Sequence, residues 1–505
     1  MSSNFGSMPL RYRITIDREQ CMECGRCVEN CPYGVFRWDG DRILINSRNC
    51  TACHRCLTYC PRDAITLQEH PCDYRSHPVW TRTVRESIYN QSRTGKIILA
   101  GMGSVANLPI IFDHLMLDAC QVTTPPTDPL REPVELRTYL GKKPSKLDFT
   151  QKPNGDVELS TELTPNLMLE TPIMLGHMSY GALSLNAHIS MARAAKETGT
   201  FMGTGEGGLH PGLYPYQDRM IVQVASGRFG VNVDYLERGA AIELKLGQGA
   251  KPGIGGHLPG EKVSADVSRT RMIPQGSDAI SPAPHHDIYG IEDLPQLVNS
   301  VKEATERKKP IFAKIAAVNN NAENVAAVAR SGVDAIAIDG FRGGTGAAPR
   351  VFRDHVGIPI EVAIATADQE LRKQGLRNEV SLIACGSIRE STDVIKAIAL
   401  GADAVYIGTA ALVAMGCRVC GNCYQGLCPW GIATQRPDLV ARLDPDVASK
   451  QIANLIHAWT LEITELMGAA GINSIESLRG NRDRLRGYML DEGLLEILDV
   501  KSVGA

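Results

Sequence analysis

The sequence predicts a parallel (β/α)8 barrel, the TIM-barrel architecture, preceded by a small α+β domain that is rich in cysteine. After residue 170, eight short apolar runs each end in glycine or small polar residues, and helical patterns lie between most of them. Eight alternations of strand and helix are typical of a closed parallel barrel. Twelve of the fifteen cysteines fall into three tight groups, and two of these groups lie near the start of the chain.

The first two cysteine groups share one spacing. Residues 21–32 read CMECGRCVENCP and residues 50–61 read CTACHRCLTYCP. The pattern C-x2-C-x2-C-x3-C-P wraps a 4Fe-4S cluster, and in two-cluster domains the fourth cysteine ligates the other cluster. Residues 1–70 therefore resemble a bacterial-type ferredoxin that relays electrons. The predicted ligand sets are Cys21, Cys24, Cys27 and Cys60, and Cys50, Cys53, Cys56 and Cys31.

Zinc and disulfides are the alternatives for these cysteines. Zinc ribbons use separated C-x2-C pairs, and neither run has that form. The chain starts MSSNFGSMPLRYRITIDREQ, which lacks the apolar segment of a signal peptide, so we expect a cytoplasmic protein without disulfides. Three cysteines stand apart and are predicted to be buried, inert thiols, namely Cys72, Cys120 and Cys385.

Composition argues against two classes of partner. The chain has 505 residues, of which 43% are hydrophobic and 22% charged, with a formal net charge of -3. This balance gives no reason to expect nucleic acid or an anionic membrane. Residues 397–416 carry a single charge, but Gly401 and Asp403 divide them into a helix end and a strand. We therefore predict buried core there and not a membrane span.

The domain boundaries and strands follow from these patterns. A connector rich in proline, in which no chemistry is evident, separates the ferredoxin-like domain from the barrel, and a cysteine loop at 416–430 ends the last barrel unit. The predicted segments are the ferredoxin-like domain 1–70, the connector 71–165, the barrel 166–480 and a tail 481–505. The predicted barrel strands are 171–176, 200–205, 220–225, 241–247, 310–316, 334–340, 381–386 and 403–408.

Barrel enzymes place their sites on the loops that follow the strands. Here those loops are rich in glycine, which lets backbone N–H groups approach a ligand closely. The last three loops are predicted to cradle a phosphate, through Gly343, Gly344, Thr345, Gly346, Gly386, Ser387, Gly408 and Thr409. FMN carries one phosphate and exchanges electrons singly or in pairs, so it suits a barrel beside clusters. No G-x-G-x-x-G motif has the βαβ setting that NAD(P)H requires, so NAD(P)H binding is not expected.

Longer motifs carry a family resemblance. MSYGALSLNAH, GEGG, QVASGRFGV, GQGAKPGIGGHLPG, ISPAPHHDIYGIEDL, GGTGAAP and CPWGIATQRPDL occur in this order. Together they resemble the central FMN domain of glutamate synthase over about residues 75–480, and the ferredoxin-like segment makes the chain similar to the archaeal-type synthase polypeptide. The resemblance implies an enzyme in which 2-oxoglutarate and ammonia form 2-iminoglutarate, and reduced FMN delivers hydride to give L-glutamate.

The third cysteine group lies in CRVCGNCYQGLCP, residues 417–429. By the resemblance, Cys417, Cys423 and Cys428 hold a 3Fe-4S cluster. Cys420 is additional and can fill the missing corner, so we predict 4Fe-4S here, with 3Fe-4S as the alternative. Zinc is a lesser alternative, because C-x2-C-x2-C is poor spacing for a tetrahedral site.

The resemblance also implies substrate residues. The two carboxylates of 2-oxoglutarate call for cations. Lys251 and Arg271 are the candidates by family position, Arg228 is a third, and a solvated surface charge is the alternative for each. Ser226 and Gln248 are candidate hydrogen-bonding residues.

Two further carboxylates are candidates near the substrate. Glu206 is a candidate acid/base or flavin contact, and an ion pair with Arg228 is its alternative. Glu243 and Lys245 share one face of the fourth strand, so pairing with each other inside the barrel is expected.

Flavin-ring contacts are assigned to two strands and one loop. Lys314 is placed at the N1–C2=O edge of the flavin, with an internal ion pair as its alternative, and Gln223 at the pyrimidine edge. The loop after the first strand contributes the remaining candidates, Met178, Ser179, Gly181 and Ala182.

The expected partner subunits are inferred from domains that long members of the glutamate synthase family contain. The sequence shows no N-terminal cysteine-nucleophile domain and no glycine-repeat β-helix, so we expect a separate glutaminase subunit, or free ammonia, and a separate β-helix subunit. Asn186 and His257 stand where long relatives have Glu and Gln, which bears on coupling to glutamine hydrolysis. The expected electron donor is ferredoxin or an NAD(P)H-oxidising flavoprotein subunit.

Three other functions fit parts of the pattern. A subunit of a methylamine–glutamate N-methyltransferase shares the barrel motifs, but the fused ferredoxin-like segment favours net electron input. A flavin barrel that oxidises 2-hydroxy acids is disfavoured because its His/Arg signature is missing. A pure electron-transfer subunit would not need Lys251 and Arg271 in the strand-following loops.

Overall fold

The computed structural model describes residues 10–70, 81–94, 96–106, 108–122 and 124–505. Of the connector, the described parts include one helix, Arg82–Thr94, ahead of the barrel. The prediction for Cys72 lies outside the described residues.

The N-terminal domain consists of two similar halves. Each half holds a short helix that begins just before the third cysteine of its run, and the residues that precede these helices, Gly25 and His54, have φ of 75° and 61°. Two antiparallel strand pairs flank the helices. The elements are the strands Tyr12–Ile16, Phe36–Asp39, Arg42–Ile45 and Ile65–Glu69 and the helices Arg26–Asn30 and Arg55–Thr58.

The central domain is a closed barrel of eight parallel strands in sequence order. The first and eighth strands close it, with Ile173 opposite Val405. All eight predicted strands are present, so the predicted fold is confirmed. Their bounds are Ile173–Leu175, Met202–Gly203, Met220–Val224, Ala241–Lys245, Ile311–Ala316, Ala335–Asp339, Ser381–Cys385 and Ala404–Ile407.

Alternate residues of the barrel strands belong to two different hydrophobic cores. Met174, Ile221 and Phe312 belong to one buried cluster, while their strand neighbours Ile173, Val222 and Ile311 belong to the core that includes the helices. Successive side chains of a strand point to opposite faces, so the first cluster fills the barrel interior. Leu140, Leu167 and Leu169 of a strand pair from the connector join that interior cluster.

Helices follow the strands and cover the barrel. The principal ones are Leu185–Glu197, Val233–Arg238, Ala265–Arg271, Leu294–Ala304, Asn321–Arg330, Arg350–His355, Ile360–Lys373, Ser391–Ala399, Thr409–Ala414 and Pro445–Ala469. Within the described residues no helix is both long and apolar enough to cross a bilayer. Residues 397–416 divide into a helix end and a strand, as predicted, and a further short helix, Thr409–Ala414, follows.

The connector and the C-terminal segment pack onto the barrel together. Leu485–Gly487 pairs with Leu115–Leu117 on one side and Lys501–Ser502 on the other. Leu99–Ala100 pairs with Ala348–Pro349, a strand pair that brings the connector to the loop after the sixth barrel strand. This contact places connector residues at the carboxyl end of the barrel.

Candidate functional site

A cleft of about 1940 Å³ opens at the carboxyl ends of the barrel strands, between the barrel loops and the N-terminal domain. Parallel strands put these ends on one side of the barrel, which is where barrel enzymes carry their chemistry. Thirteen of the fourteen predicted flavin residues line the cleft: Met178, Ser179, Ala182, Gln223, Lys314, Gly343, Gly344, Thr345, Gly346, Gly386, Ser387, Gly408 and Thr409. Gly181 instead packs against Leu258 and Val267.

The three glycine-rich loops meet in one part of the cleft. A Cβ at Gly344 would lie 3.3 Å from Thr409 Oγ1, and a Cβ at Gly346 would lie 3.4 Å from Ala182 Cβ. In the described part of the chain the amides of Gly344, Thr345 and Gly346 donate to no backbone carbonyl or side chain. Free amides around a glycine-lined space can hold a phosphate.

A buried polar group lies at the floor of the cleft. Glu243 is fully buried, accepts a hydrogen bond from Gln223 Nε2 at 2.7 Å and lies 3.3 Å from His177 Nε2. The Tyr406 hydroxyl donates to Glu243 at 3.3 Å. Burial opposes ionisation of Glu243, but His177, Lys314 and Gln223 outweigh it and lower the pKa of the carboxyl.

The expected pair between Glu243 and Lys245 is wrong. Glu243 contacts His177, whereas Lys245 Nζ lies 3.3 Å from Glu206 Oε2. The alternative pair of Glu206 with Arg228 is also wrong, because Arg228 binds Asp287 at 2.6 Å. Each carboxylate is therefore paired across the barrel mouth with a cation or imidazole from another strand or loop.

Lys314 forms the internal ion pair that was the alternative prediction, and it also lines the cleft. Its Nζ lies 3.1 Å from Asp339 Oδ2. Burial opposes the charge, but Asp339 and the other nearby anionic groups prevail and raise the pKa of Lys314. The ammonium is therefore held charged beside the cleft.

A second charged group collects around Glu206. Burial opposes its ionisation, yet Lys245, Arg271 and Lys251 together lower the pKa of the carboxyl. Ser281 Oγ donates to the same carboxylate at 3.4 Å, and a Cβ at Gly256 would lie 2.1 Å from Oε1. The loop between the fourth and fifth strands therefore packs directly over Glu206.

Lys251 and Arg271 are buried, each 3% exposed, which excludes a solvated surface role. Lys251 Nζ donates to Ala347 O at 3.2 Å, and Arg271 donates to Tyr180 O at 2.8 and 3.1 Å. Within the described chain neither cation has a carboxylate within 4.0 Å. Burial lowers the pKa of Lys251 to about 8 and that of Arg271 to about 10, with Glu206 opposing both shifts.

The remaining predicted substrate residues do not lie together in the structure. Gln248 lines the cleft. Ser226 Oγ donates to Pro282 O at 2.5 Å, and Arg228 is occupied by Asp287. Ser226 and Arg228 organise the covering loop and do not line the cleft, and the cluster of Glu206, Lys251 and Arg271 also lies outside the residues that line it.

Each predicted ferredoxin ligand set surrounds a cavity of its own. Cys21, Cys24, Cys27 and Cys60 line one cavity, and Cys31, Cys50, Cys53 and Cys56 line the other. The crossed pairing of the fourth cysteines thus appears in the geometry. Four thiols around one cavity are a donor set that fits a 4Fe-4S cluster.

The third cysteine set borders the cleft itself. Cys417, Cys420, Cys423 and Cys428 all line it. Burial raises the pKa of Cys417 to about 11 and that of Cys423 to about 12, and neighbouring thiols of the set add to the shift. Buried thiols that crowd together in this way need a bound cation to become thiolates. The isolated Cys120 and Cys385 are buried, as predicted.

The N-terminal domain contacts the third cysteine loop directly. Trp430 Nε1 donates to Cys53 O at 3.1 Å, and the Arg55 guanidinium lies 5.0 Å from the Trp430 ring centroid. Arg442 donates to Glu29 O at 2.8 Å. Cys53 and Cys420 are close enough that each thiolate would disfavour the other, so the second ligand set faces the third.

Sequence reasoning missed several residues of this site. His177, Asp339 and Tyr406 line the cleft, and so do connector residues 98–105, where no chemistry was expected. Met102 Sδ lies 3.5 Å from Cys423 Sγ. Lys262, which donates to Ala182 O and Cys423 O, was also missed. A polar residue at the carboxyl end of a predicted strand, such as Asp339, was the available signal for part of this set.

Fold and site together define an iron–sulfur barrel oxidoreductase. The model for the conserved region in glutamate synthase matches residues 106–473, and that for a 4Fe-4S dicluster domain matches residues 13–61. The archaeal glutamate synthase (NADPH) of Methanocaldococcus jannaschii is 66% identical over 98% of this chain and 99% of its own. The archaeal-type glutamate synthase (NADPH) of Thermotoga neapolitana is 56% identical over 98% of both chains. The chain belongs to the glutamate synthase family.

Solved structures give a weaker comparison. A mandelate oxidase with (S)-4-hydroxymandelic acid aligns at a TM-score of 0.45 and 14% identity, over 77% of this chain and 94% of that one. A flavocytochrome b2 variant with pyruvate bound aligns at a TM-score of 0.46 and 17% identity, over 83% of this chain and 88% of that one. At these TM-scores the likeness carries no argument about the site.

Proposed function

We propose that this chain catalyses the synthase reaction of glutamate synthase, in which 2-oxoglutarate and ammonia give L-glutamate. The relatives that share 51–66% identity over 98% of the chain are named glutamate synthases, and the rival N-methyltransferase role is not favoured. The proposal is carried by one structural observation, the charge balance around Glu206.

Three buried or nearly buried cations face a single carboxylate. Lys245, Lys251 and Arg271 surround Glu206, so the group holds two positive charges in excess. A buried charge is costly unless an opposite charge accompanies it. 2-Oxoglutarate is a dianion at neutral pH, and its two carboxylates would compensate this excess. A neutral or monoanionic substrate would leave one or two cations unpaired.

The residues of the site divide the chemical work. Lys251 and Arg271 bind the substrate carboxylates, and Gln248 orients the substrate at the cleft. Glu206, ionised at neutral pH, would accept a proton from the nitrogen at a carboxylate oxygen as ammonia adds to the keto carbon, and would return it to the hydroxyl group that leaves as water. The loop that carries Gly256 covers Glu206 and excludes bulk water.

FMN fits the cleft. The free amides of Gly344, Thr345 and Gly346 would hold its phosphate, and the Lys314 ammonium would stand by the ring with Gln223 as a further contact. When bound in reduced form, FMN supplies the hydride that converts 2-iminoglutarate to L-glutamate.

The cysteine sets form an ordered route for electrons. The second set adjoins the third through Trp430 and Cys420, and the third borders the cleft. Cys24, of the first set, is exposed. Electrons from a partner would therefore enter at the first set and leave from the third. Since no dinucleotide fingerprint occurs, NADPH would act through a separate flavoprotein subunit or through ferredoxin.

The third set is proposed to hold a 4Fe-4S cluster. The pKa of Cys420 is raised mainly by burial, and the neighbouring Cys428 thiol raises it as well. Cys420 therefore lies within the third cysteine set. Replacing Cys420→Ser should convert the cluster to a three-iron form with its own oxidised-state electron paramagnetic resonance (EPR) signal. An unchanged signal and an unchanged iron content would assign the 3Fe-4S form to the native protein.

Reoxidation of the reduced protein tests the whole proposal. Anaerobically reduced holoenzyme is mixed with 2-oxoglutarate, with and without ammonium, while flavin absorbance and L-glutamate are followed. We expect reoxidation and glutamate only when both are present. Reoxidation that waits for a glutaminase subunit would place ammonia delivery in that partner. No response in fully flavinated protein would refute the proposal and favour an electron-transfer subunit.

A further inference from the structure

Lys262 is a buried cation that has no carboxylate partner among the described residues. Its side chain is among the largest fully buried ones in the described chain, with 2% of the residue exposed. The ammonium donates to two carbonyls, Ala182 O and Cys423 O, both at 2.9 Å. In the described residues no carboxylate lies within 4.0 Å of it. A buried ammonium with only neutral acceptors is an incomplete arrangement.

The contacts of Lys262 point to the third cysteine loop. Its stem packs on Gly426, where a Cβ would lie 3.3 Å from Lys262 Cγ. Gly426 lies between Cys423 and Cys428 and adopts φ of 69°. Thr434 Oγ1 donates to Gly426 O at 2.6 Å and holds this turn in place. The ammonium is therefore fixed against the loop of Cys423 and Cys428, whose thiolates would interact favourably with it.

We propose that Lys262 is the counter-ion of the cluster held by Cys417–Cys428 and that it raises the reduction potential of this cluster. The proposal rests on the third cluster of the proposed function. Reduction adds one electron from the ferredoxin-like domain, with no bond made or broken, so the cluster gains one negative charge. A fixed positive charge stabilises that state, and electrons are drawn toward the cleft. Its other bond, to Ala182 O, ties the cluster loop to the flavin-lining loop.

The size of the effect follows from Coulomb's law. A unit charge about 10 Å from a redox centre, at an effective dielectric constant of about 20, changes the ratio of reduced to oxidised centre roughly tenfold. A tenfold change for one electron is 59 mV. Neutralising Lys262 should therefore lower the midpoint potential of the third cluster by about this amount.

The test is an anaerobic redox titration of the full-length holoenzyme, read by EPR spectroscopy. The third cluster is the signal that disappears in Cys428→Ser. Lys262→Met removes the charge at similar volume, and Lys262→Arg keeps it. Lys302→Met is the matched control, because Lys302 pairs with Asp334 at the amino end of the sixth barrel strand, opposite the cleft. We expect a lower potential in Lys262→Met alone.

Each other outcome is decisive. An assembled third cluster with unchanged potential in Lys262→Met refutes the counter-ion role, as does an equal shift in Lys302→Met. Loss of the third cluster in Lys262→Met but not in Lys262→Arg supports it, and loss in both variants shows a packing role only. If the unaltered protein lacks the third signal, the cluster of the proposed function fails, independently of Lys262.

Discussion

Binding of 2-oxoglutarate should weaken as pH rises through 8, because Lys251 loses its charge. Burial, with a smaller contribution from Lys245, lowers the pKa of Lys251 to about 8. Below that pH the ammonium is protonated and can pair with a substrate carboxylate. Above that pH, Lys251 is mostly neutral, so the free protein must take up a proton at Lys251 before this residue can pair with a carboxylate of 2-oxoglutarate.

The magnitude follows from that pKa. At pH 9 about one molecule in eleven carries the proton, so Kd should rise about tenfold per pH unit above 8, or about 1.4 kcal/mol. Arg271, with a pKa of about 10, stays mostly charged through pH 9. The Lys251→Arg variant should remove the pH dependence over pH 7–9, because arginine remains charged.

The assay is equilibrium binding of 2-oxoglutarate to the oxidised holoenzyme without ammonium, so that no turnover occurs. Calorimetry at constant ionic strength between pH 6.5 and 9.5 gives Kd directly. Lys302→Arg, far from the cleft, is the control and should follow the unaltered protein. A flat profile in the unaltered protein, or the same slope in Lys251→Arg, would refute the assignment of Lys251 to a substrate carboxylate.

Three further substitutions test other contacts of the structure. Gly256→Ala should weaken 2-oxoglutarate binding tenfold or more without unfolding the protein, because the added Cβ would lie 2.1 Å from Glu206 Oε1. An unchanged affinity in calorimetry would contradict this expectation. Asp368→Ala should lower the free energy of unfolding by about 3–5 kcal/mol in denaturant titrations, since the buried carboxylate binds several arginines. Asp446→Ala, at an exposed ion pair, is the control and should lower it little. Equal losses in the two variants would contradict this expectation. Trp430→Phe should slow reduction of the flavin by electrons that enter through the N-terminal domain, in stopped-flow absorbance; an unchanged rate would count against that route.

Local patterns in the sequence were sufficient to predict the fold and to group the cysteines that line each cavity. Barrel strands are buried on both faces, so each shows as a short apolar run, and all eight were found. Cluster ligands lie within one or two turns of each other, so their spacing is a local property. The crossed partners Cys60 and Cys31 were also predicted, because the two-cluster pattern prescribes them.

Pairing between charged side chains could not be predicted in the same way. Glu206 was expected to meet Arg228 if it formed an ion pair, and Glu243 to meet Lys245, but the structure pairs Glu206 with Lys245 and Glu243 with His177. These partners come from different strands and loops. Which of them meet depends on the stagger of neighbouring strands and on the path of the covering loop, and neither is written in a local pattern.

The sequence by itself determined the barrel, the glycine-rich loops and the three cysteine sets, since each depends on residues close together in the chain. Tertiary structure alone decided that Lys262 meets Cys423, 161 positions away, and that connector residues 98–105 line the cleft. The physical reason is that a buried charge is governed by whatever surrounds it in space. Those surroundings exist only after barrel closure brings distant segments to one end.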